Sequence, residues 1–173
     1  MRVPAYRKGM KTQRGGFRML QHEQLLQELV HDTYKTRLKL PEPTRCPDCG
    51  AVWHRGRWTW NAPPAKAHLA RCPACKRIRD RFPAGFVTLK GRFLAEHRDE
   101  IVGRVRHVEA AEKRDHPLQR IMNVVPEAGG LLVTTTDAHL ARGIGEALRK
   151  AYRGRMDFHY NKSDNLLRVS WTR

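Results

Sequence analysis

The sequence predicts an α+β protein, in which a four-cysteine zinc ribbon with flanking amphipathic helices precedes a C-terminal β-β-α-β-β domain. Three observations support this fold class: two Cys-x-x-Cys pairs, two long helical stripes of apolar residues, and four β-rich runs near the C-terminus. The expected segments are a basic flexible tail (1–18), a helix and proline linker (19–43), the zinc ribbon (44–82), a strand and long helix (83–116), and an α+β domain (117–173).

The first 18 residues contain six basic residues and no acidic one. The segment Arg14-Gly15-Gly16-Phe17-Arg18 has the composition of an RGG-type sequence, which would order along a phosphate backbone only when bound. A flexible, solvated tail describes the free protein equally well. The residues from Leu20 to Leu38 then predict an amphipathic helix, which the prolines of the 39–43 linker end.

The four cysteines of the chain form two matched pairs, with 22 residues between Cys49 and Cys72. This count and spacing predict one structural Zn²⁺ held tetrahedrally by Cys46, Cys49, Cys72 and Cys75. Two disulfides and four unrelated thiols are alternatives. A mixed site that uses a histidine of the ribbon is another, and the candidates for it are His54 and His68.

Three of the four tryptophans lie between the cysteine pairs, in a strand, glycine turn and strand over residues 52–60. Exposed, Trp53, Trp58 and Trp60 would offer surfaces on which bases stack. Buried, they would supply the core that a module of this size otherwise lacks. We expect two of the three to be core residues.

Basic residues cluster in and beside the zinc ribbon, most densely over residues 76–81. This stretch is a candidate for phosphate contact, and a solvated charged turn is the alternative. The predicted RNA-binding residues are Arg55, Arg57, Lys76, Arg77, Arg79 and Arg81 in the ribbon, with Arg14 and Arg18 in the tail.

Helical spacing of apolar residues predicts a second long helix from Phe93 to Asp115, with His97 as the polar residue in its apolar stripe. Two β-rich runs, 121–125 and 131–135, then predict a hairpin, and Thr136 and Asp137 follow as candidates for a helix N-cap. Two further strands complete the β-β-α-β-β order. The free face of that sheet is predicted to expose threonines together with Arg155, His159 and Arg168, as a surface suited to RNA.

The net charge is +17, and it is concentrated in the N-terminal half. Residues 1–92 hold 20 Lys/Arg against 6 Asp/Glu, whereas residues 93–173 hold 14 against 11. Such an excess favours a polyanionic partner, and nucleic acid is the commonest one. An acidic lipid partner is one alternative, and charge that only maintains solubility is another.

We expect a cytoplasmic protein with no membrane partner, because no apolar run is long enough to span a bilayer and no signal segment is visible.

The Cys-Pro-x-Cys-Gly opening at Cys46 and the second Cys-x-x-Cys pair resemble the zinc region of the large-ribosomal-subunit nuclear export adaptor family and its archaeal relatives. The later segments 130–141, 155–160 and 166–171 resemble the α+β domain that follows in that family. The chain is also similar to a bacterial family of short proteins with a CPxCG start, a PAG middle and a TTD-x-HLA helix. The adaptor has more cysteines and further domains, so nuclear transport is not implied. The resemblance implies binding to ribosomal RNA or to a ribosomal subunit.

The leading hypothesis is therefore a zinc-ribbon RNA-binding protein without catalytic residues or a small-molecule substrate. A zinc-ribbon DNA-binding transcriptional regulator is the alternative, although neither long helix has a face suited to base edges. A nuclease is the third. The chain has no phosphate-binding loop, neither Ser163 nor Ser170 lies in a nucleophile elbow, and the cysteines are assigned to metal.

Overall fold

The structure is a computed structural model that describes residues 32, 34, 39–62, 65–161 and 166–173. Within these residues the chain is a mixed α+β protein, as predicted. The strands are β1 (Thr44–Arg45), β2 (Val52–His54), β3 (Arg57–Thr59), β4 (His68–Leu69), β5 (Gly85–Lys90), β6 (Ile121–Glu127), β7 (Gly130–Thr135), β8 (Arg155–Asn161) and β9 (Leu166–Thr172). The helices are α1 (Pro73–Asp80), α2 (Arg92–Glu96), α3 (Arg98–Asp115) and α4 (Ala138–Tyr152).

A small sheet of order β3-β2-β1-β4 forms the ribbon. Strands β2 and β3 are joined by the two-residue turn Arg55-Gly56, and both turn residues have positive φ angles, 50° and 75°. This is the backbone that matches the twist of a tight hairpin. Trp58 is buried and Trp53 packs beside it, so two of the three ribbon tryptophans belong to the core, as expected.

A larger sheet of order β6-β7-β5-β9-β8 follows. Its central strand is β5, which runs antiparallel to β7 and parallel to β9. The predicted β-β-α-β-β order over 117–173 is present, but these strands do not form a separate unit. They pair on both sides of β5, so the expected boundary between residues 83–116 and residues 117–173 falls within one hydrophobic core.

The core of this sheet lies on one face, under α3 and α4. Alternate residues of β5, β7 and β9 point into it, because successive side chains of a strand face opposite sides. The largest fully buried side chain is Trp171, whose indole N–H donates to the Arg153 carbonyl oxygen at 2.8 Å. On α4, Leu140, Ile144 and Leu148 recur at helical spacing and are fully buried.

The predicted helix from Phe93 to Asp115 is divided at His97, where α2 ends and α3 begins. His97 has a non-helical backbone (φ −124°, ψ 31°). Its ring stacks on Phe93 at 4.2 Å, and its Nδ1 lies 3.4 Å from Glu100. The histidine is therefore a break in the helix and does not belong to a continuous apolar stripe.

The predicted basic tail (1–18) and most of the predicted helix from Leu20 to Leu38 lie outside the described residues. None of the described helices is both long and apolar enough to span a bilayer.

Two glycines of α4 provide a matched test of the packing against the sheet. A Cβ added at Gly145 would lie 2.7 Å from the Val169 Cγ1 and 3.0 Å from the Met156 sulfur, whereas one added at Gly143 meets nothing within 4 Å. Both changes to alanine gain about 1 kcal/mol of helix propensity. We expect Gly143→Ala to raise the free energy of unfolding in a denaturant titration. We expect Gly145→Ala to lower it, because overpacking costs about 1–3 kcal/mol. Equal effects of the two substitutions would contradict the close contact of α4 with β9.

Candidate metal centre

The first cysteine pair lies in a tight turn that follows β1. The Cys46 N–H donates to the Ala51 carbonyl oxygen at 2.8 Å, and the Gly50 N–H donates to the Cys46 carbonyl oxygen at 3.0 Å. Gly50 has a φ of 79°, a left-handed conformation that glycine adopts at little cost. The turn thus directs Cys46 and Cys49 toward the same point.

The second cysteine pair is built differently, on the first turn of α1. Cys72 is the N-cap in an extended conformation, and Pro73 occupies the first helical position, where its fixed φ suits a helix. The Cys75 N–H donates to the Cys72 sulfur at 3.4 Å. Lys76 continues the helix and does not repeat the left-handed glycine turn of the first pair, because the helix itself directs its N–H groups at the sulfur.

The four cysteine sulfurs lie within 4.8 Å of one another and could hold a metal ion. All four residues are free thiols, so neither disulfides nor unrelated thiols describe the site. The sulfurs of Cys49 and Cys72 are 3.8 Å apart. A tetrahedron with Zn–S bonds of about 2.3 Å has edges of about 3.8 Å, so the donor set fits this ion. The alternative ligands His54 and His68 are exposed and do not join the cluster in the described part of the chain.

Arg120 completes the site, and the sequence analysis did not identify it. One terminal nitrogen of its guanidinium lies 3.3 Å from the Cys75 sulfur. The other lies 3.0 Å from the Cys49 sulfur and 3.8 Å from the Cys72 sulfur. Arg120 is only 7% exposed and immediately precedes β6 of the large sheet. It therefore brings a positive charge from one sheet to the sulfurs of the other.

The backbone and side chain of Arg120 are both held in place. Its backbone N–H donates to the Thr136 hydroxyl at 2.9 Å, and the Thr136 N–H donates to the Arg120 carbonyl oxygen at 2.9 Å. Its Nε donates to the Pro117 carbonyl oxygen at 2.7 Å. These bonds orient the guanidinium before any metal binds, so little side-chain entropy is lost when it contacts the sulfurs.

Trp60 lies over the same arginine, with its ring centroid 5.6 Å from the guanidinium carbon. Its indole N–H donates to the Lys113 carbonyl oxygen near the end of α3 at 2.6 Å. Trp60 is 39% exposed. The third tryptophan is thus neither a core residue of the ribbon nor a free stacking surface, since it joins the ribbon to α3.

The thiols differ in how readily they ionise. Burial by itself raises the pKa of Cys49, but the Ala51 N–H and the Arg120 guanidinium outweigh burial and lower that pKa to about 7. Burial raises the pKa of Cys75 to about 11 and also raises the pKa of Cys72. A metal that binds these thiols at neutral pH must therefore displace protons from them.

The basic residues predicted to contact RNA do not share one environment. Arg55, Arg57, Arg79 and Arg81 are exposed, and Lys76 is half-buried. Arg14 and Arg18 lie outside the described residues.

Arg77 is a correction to the predicted set, because it is only 4% exposed and has no surface to offer a phosphate. Its guanidinium pairs with the Asp32 carboxylate at 2.7 Å and donates to the Phe82 carbonyl oxygen at 3.2 Å. It also lies 4.4 Å from the centre of the Tyr34 ring. Arg77 therefore contacts two residues that precede the ribbon in the chain, Asp32 and Tyr34.

A comparison of this chain with protein-family models, with curated proteins and with solved structures gives no match. The arrangement of the site therefore has to be interpreted from its own geometry.

Removal of one ligand tests the role of the metal centre in folding. We expect Cys72→Ser to lose bound zinc and the near-ultraviolet circular dichroism of the ribbon tryptophans, because a structural zinc contributes its binding energy to folding. The large sheet has its own hydrophobic core, so far-ultraviolet helix signal should remain. Wild-type protein treated with a chelator should show the same spectra. One zinc per chain in Cys72→Ser, at wild-type stability, would contradict the assignment.

Arg120 is tested by a substitution that keeps its length and removes its charge. We expect Arg120→Met to weaken zinc affinity by about 10- to 100-fold in a chelator competition, as loss of outer-shell partners does at other metal sites. Arg149→Met is the matched control, because Arg149 is an exposed arginine on α4. Equal zinc affinities for the two variants would show that the guanidinium has no effect on the sulfurs.

Proposed function

We propose that this protein is a zinc-ribbon RNA-binding protein that binds ribosomal RNA or a ribosomal subunit. A single Zn²⁺ on Cys46, Cys49, Cys72 and Cys75 would stabilise the ribbon and carry out no reaction, because four protein ligands leave no open coordination position. The function then lies in the surface that the ribbon presents.

The observation that carries the proposal is a set of exposed arginines on the ribbon whose guanidinium groups form no ion pair. The Glu42 carboxylate does accept from the backbone N–H groups of Arg55 and Gly56, at 2.8 and 3.0 Å. Among the described residues, no carboxylate forms an ion pair with Arg55, Arg57, Arg79 or Arg81. The two acidic residues between Thr44 and Arg92 are engaged elsewhere, since Asp48 pairs with Arg71, and Asp80 accepts from the Tyr34 hydroxyl. When unpaired cations of this kind bind the phosphates of a nucleic acid, they release the counterions condensed on that nucleic acid.

The backbone of two of these arginines supports the same interpretation. Arg55 and Arg81 have φ angles of 50° and 53°, in the left-handed region where glycine or asparagine is the usual choice. Arg81 ends α1, a position that glycine occupies in many helices. Holding a longer side chain there costs on the order of 1–2 kcal/mol per residue. An arginine in place of glycine at these turns is locally unfavourable, and proteins often retain such unfavourable residues at functional surfaces.

Ribosomal RNA is chosen over other nucleic acids because of the resemblance of the cysteine pairs and the α+β segments to the export adaptor family. The test is comigration of the protein with ribosomal subunits on a sucrose gradient at low and at moderate salt. Protein that remains at the top of the gradient at both salt concentrations would overturn the ribosomal part of the proposal.

A competition between ribosomal RNA and duplex DNA distinguishes the transcriptional regulator, which would prefer a particular DNA sequence. Cleavage of the RNA during incubation would indicate the nuclease.

Charge reversal tests which residues bind RNA. We expect Arg79→Glu with Arg81→Glu to weaken binding strongly and to reduce the slope of log affinity against log salt by about 1.4 on single strands, or about 0.7 per phosphate contact. The same reversal at Arg149 and Lys150, two exposed residues on α4, is the control and should have a small effect. Reversal of Arg14 and Arg18 should weaken binding less than the ribbon reversal does, if ordering the predicted tail on RNA costs entropy. If the tail reversal abolishes binding and the ribbon reversal leaves binding unchanged, the RNA-binding element is in the tail.

A further inference from the structure

One face of the large sheet is covered by α3 and α4, and no described element packs on the other. On β5, Val87 and Leu89 are buried in the core, whereas Phe86 and Thr88 lie on the opposite face and are half-buried. The same alternation continues on β8 and β9. Within the described part of the chain, the sheet therefore presents one open face.

A single row of side chains crosses this face from edge to edge. Each member is the register partner of the next, and the row runs through Asn123 on β6, Thr134 on β7, Phe86 on β5, Arg168 on β9 and His159 on β8. Neighbouring strands are about 4.8 Å apart, so the five residues span about 19 Å. Three planar side chains, Phe86, Arg168 and His159, are successive members of this row, and the Arg168 guanidinium lies over the Phe86 ring.

The chemistry of the row suits unpaired bases. The Arg168 guanidinium carbon lies 4.8 Å from the centre of the Phe86 ring, and both Arg168 and His159 are exposed. Aromatic rings and guanidinium planes stack on bases of any sequence. Bases in a duplex are already stacked and paired, so a flat row of this kind favours a single strand.

The other half of the row offers polar groups and a buried hydroxyl. Thr134 is 7% exposed, and its hydroxyl has no hydrogen-bond partner among the described residues. Asn123, its neighbour on β6, is exposed and has an amide that both donates and accepts. The Thr134 hydroxyl is itself enclosed by the protein, so Asn123 is the polar group that this half of the row exposes to a ligand.

Charge and position connect this face to the basic ribbon. Asp157, next to the row on β8, pairs with Arg155 at 2.9 Å, and the row itself contains no carboxylate. Phe86 follows Arg81 closely in the chain, so their Cα atoms are at most about 18 Å apart. The exposed arginines at the end of α1 are therefore close to the row.

We propose that the open face of the large sheet binds single-stranded RNA, with Phe86, Arg168 and His159 stacking on unpaired bases while the arginines of the ribbon contact phosphates. This inference rests on the proposed function and specifies it further, because it names the class of RNA and the residues that distinguish single strands from duplexes.

The test compares a fluorescently labelled oligouridine of about 12 nucleotides with an RNA duplex of the same length, using the zinc-loaded full chain. Phe86→Leu keeps an apolar side chain and removes the ring, and Arg168→Lys keeps the charge and removes the plane. We expect each variant to weaken oligouridine binding by at least about fivefold, the low end for one base stacked on a ring. The salt slope should stay unchanged because no charge is lost. Duplex affinity should stay close to that of wild type, because duplex bases do not reach the row.

Ser170→Ala is the control, because Ser170 lies on the same face in the next row and has no planar group on which a base could stack. Thermal unfolding of every variant separates loss of binding from loss of fold. If wild-type protein binds neither RNA and does not comigrate with ribosomal subunits, the proposed function fails and this inference fails with it. If it comigrates with subunits but does not bind oligouridine, this inference alone fails. If wild-type protein binds RNA but Phe86→Leu and Arg168→Lys leave oligouridine binding unchanged, or weaken duplex binding equally, this inference alone is overturned. That second result would leave the open face to another class of partner, such as a protein.

Discussion

The contact between the Arg120 guanidinium and the cysteine sulfurs is the interaction on which the arrangement of the two sheets depends. A guanidinium that is 7% exposed is costly to bury without a partner, and a cluster of thiolates is equally costly. Four thiolates around one Zn²⁺ would carry a net charge of about −2, and Arg120 cancels half of it. Each group therefore offsets the free-energy cost of burying the other. Because Arg120 is anchored through Thr136 to the end of β7, the ribbon is bound to the large sheet at its sulfur core.

A covalent connection reinforces this contact. Helix α1 starts at the second cysteine pair, and only four residues separate its last residue, Asp80, from the first residue of β5, Gly85. The strand that leaves the ribbon is thus the centre of the large sheet. Trp60 adds a third connection, through its hydrogen bond to the end of α3. This construction holds the end of α1 near the start of β5.

The arginines of this protein fall into two groups that differ in burial. Arg77 and Arg120 are buried, form hydrogen bonds and ion pairs with defined groups, and contribute to the fold. Arg55 and Arg81 are exposed at strained turns and lack ion-pair partners among the described residues. A net charge of +17 does not distinguish these groups. Only the second can meet a polyanion without disrupting the structure.

The sequence by itself determined the features that depend on local pattern. Paired cysteines predicted the cluster, and alternation predicted the C-terminal strands. Thr136 and Asp137 predicted the start of α4, and it is Asp137 that accepts from the His139 N–H, at 2.7 Å. Tertiary structure alone decided the rest. Arg120 meets Cys49 across 71 residues, Arg77 meets Asp32 across 45, and β5 joins β9 from the other end of the domain. No local pattern marks these residues, because a buried arginine and an exposed one look the same in a sequence. What separates them is the partner that folding brings near.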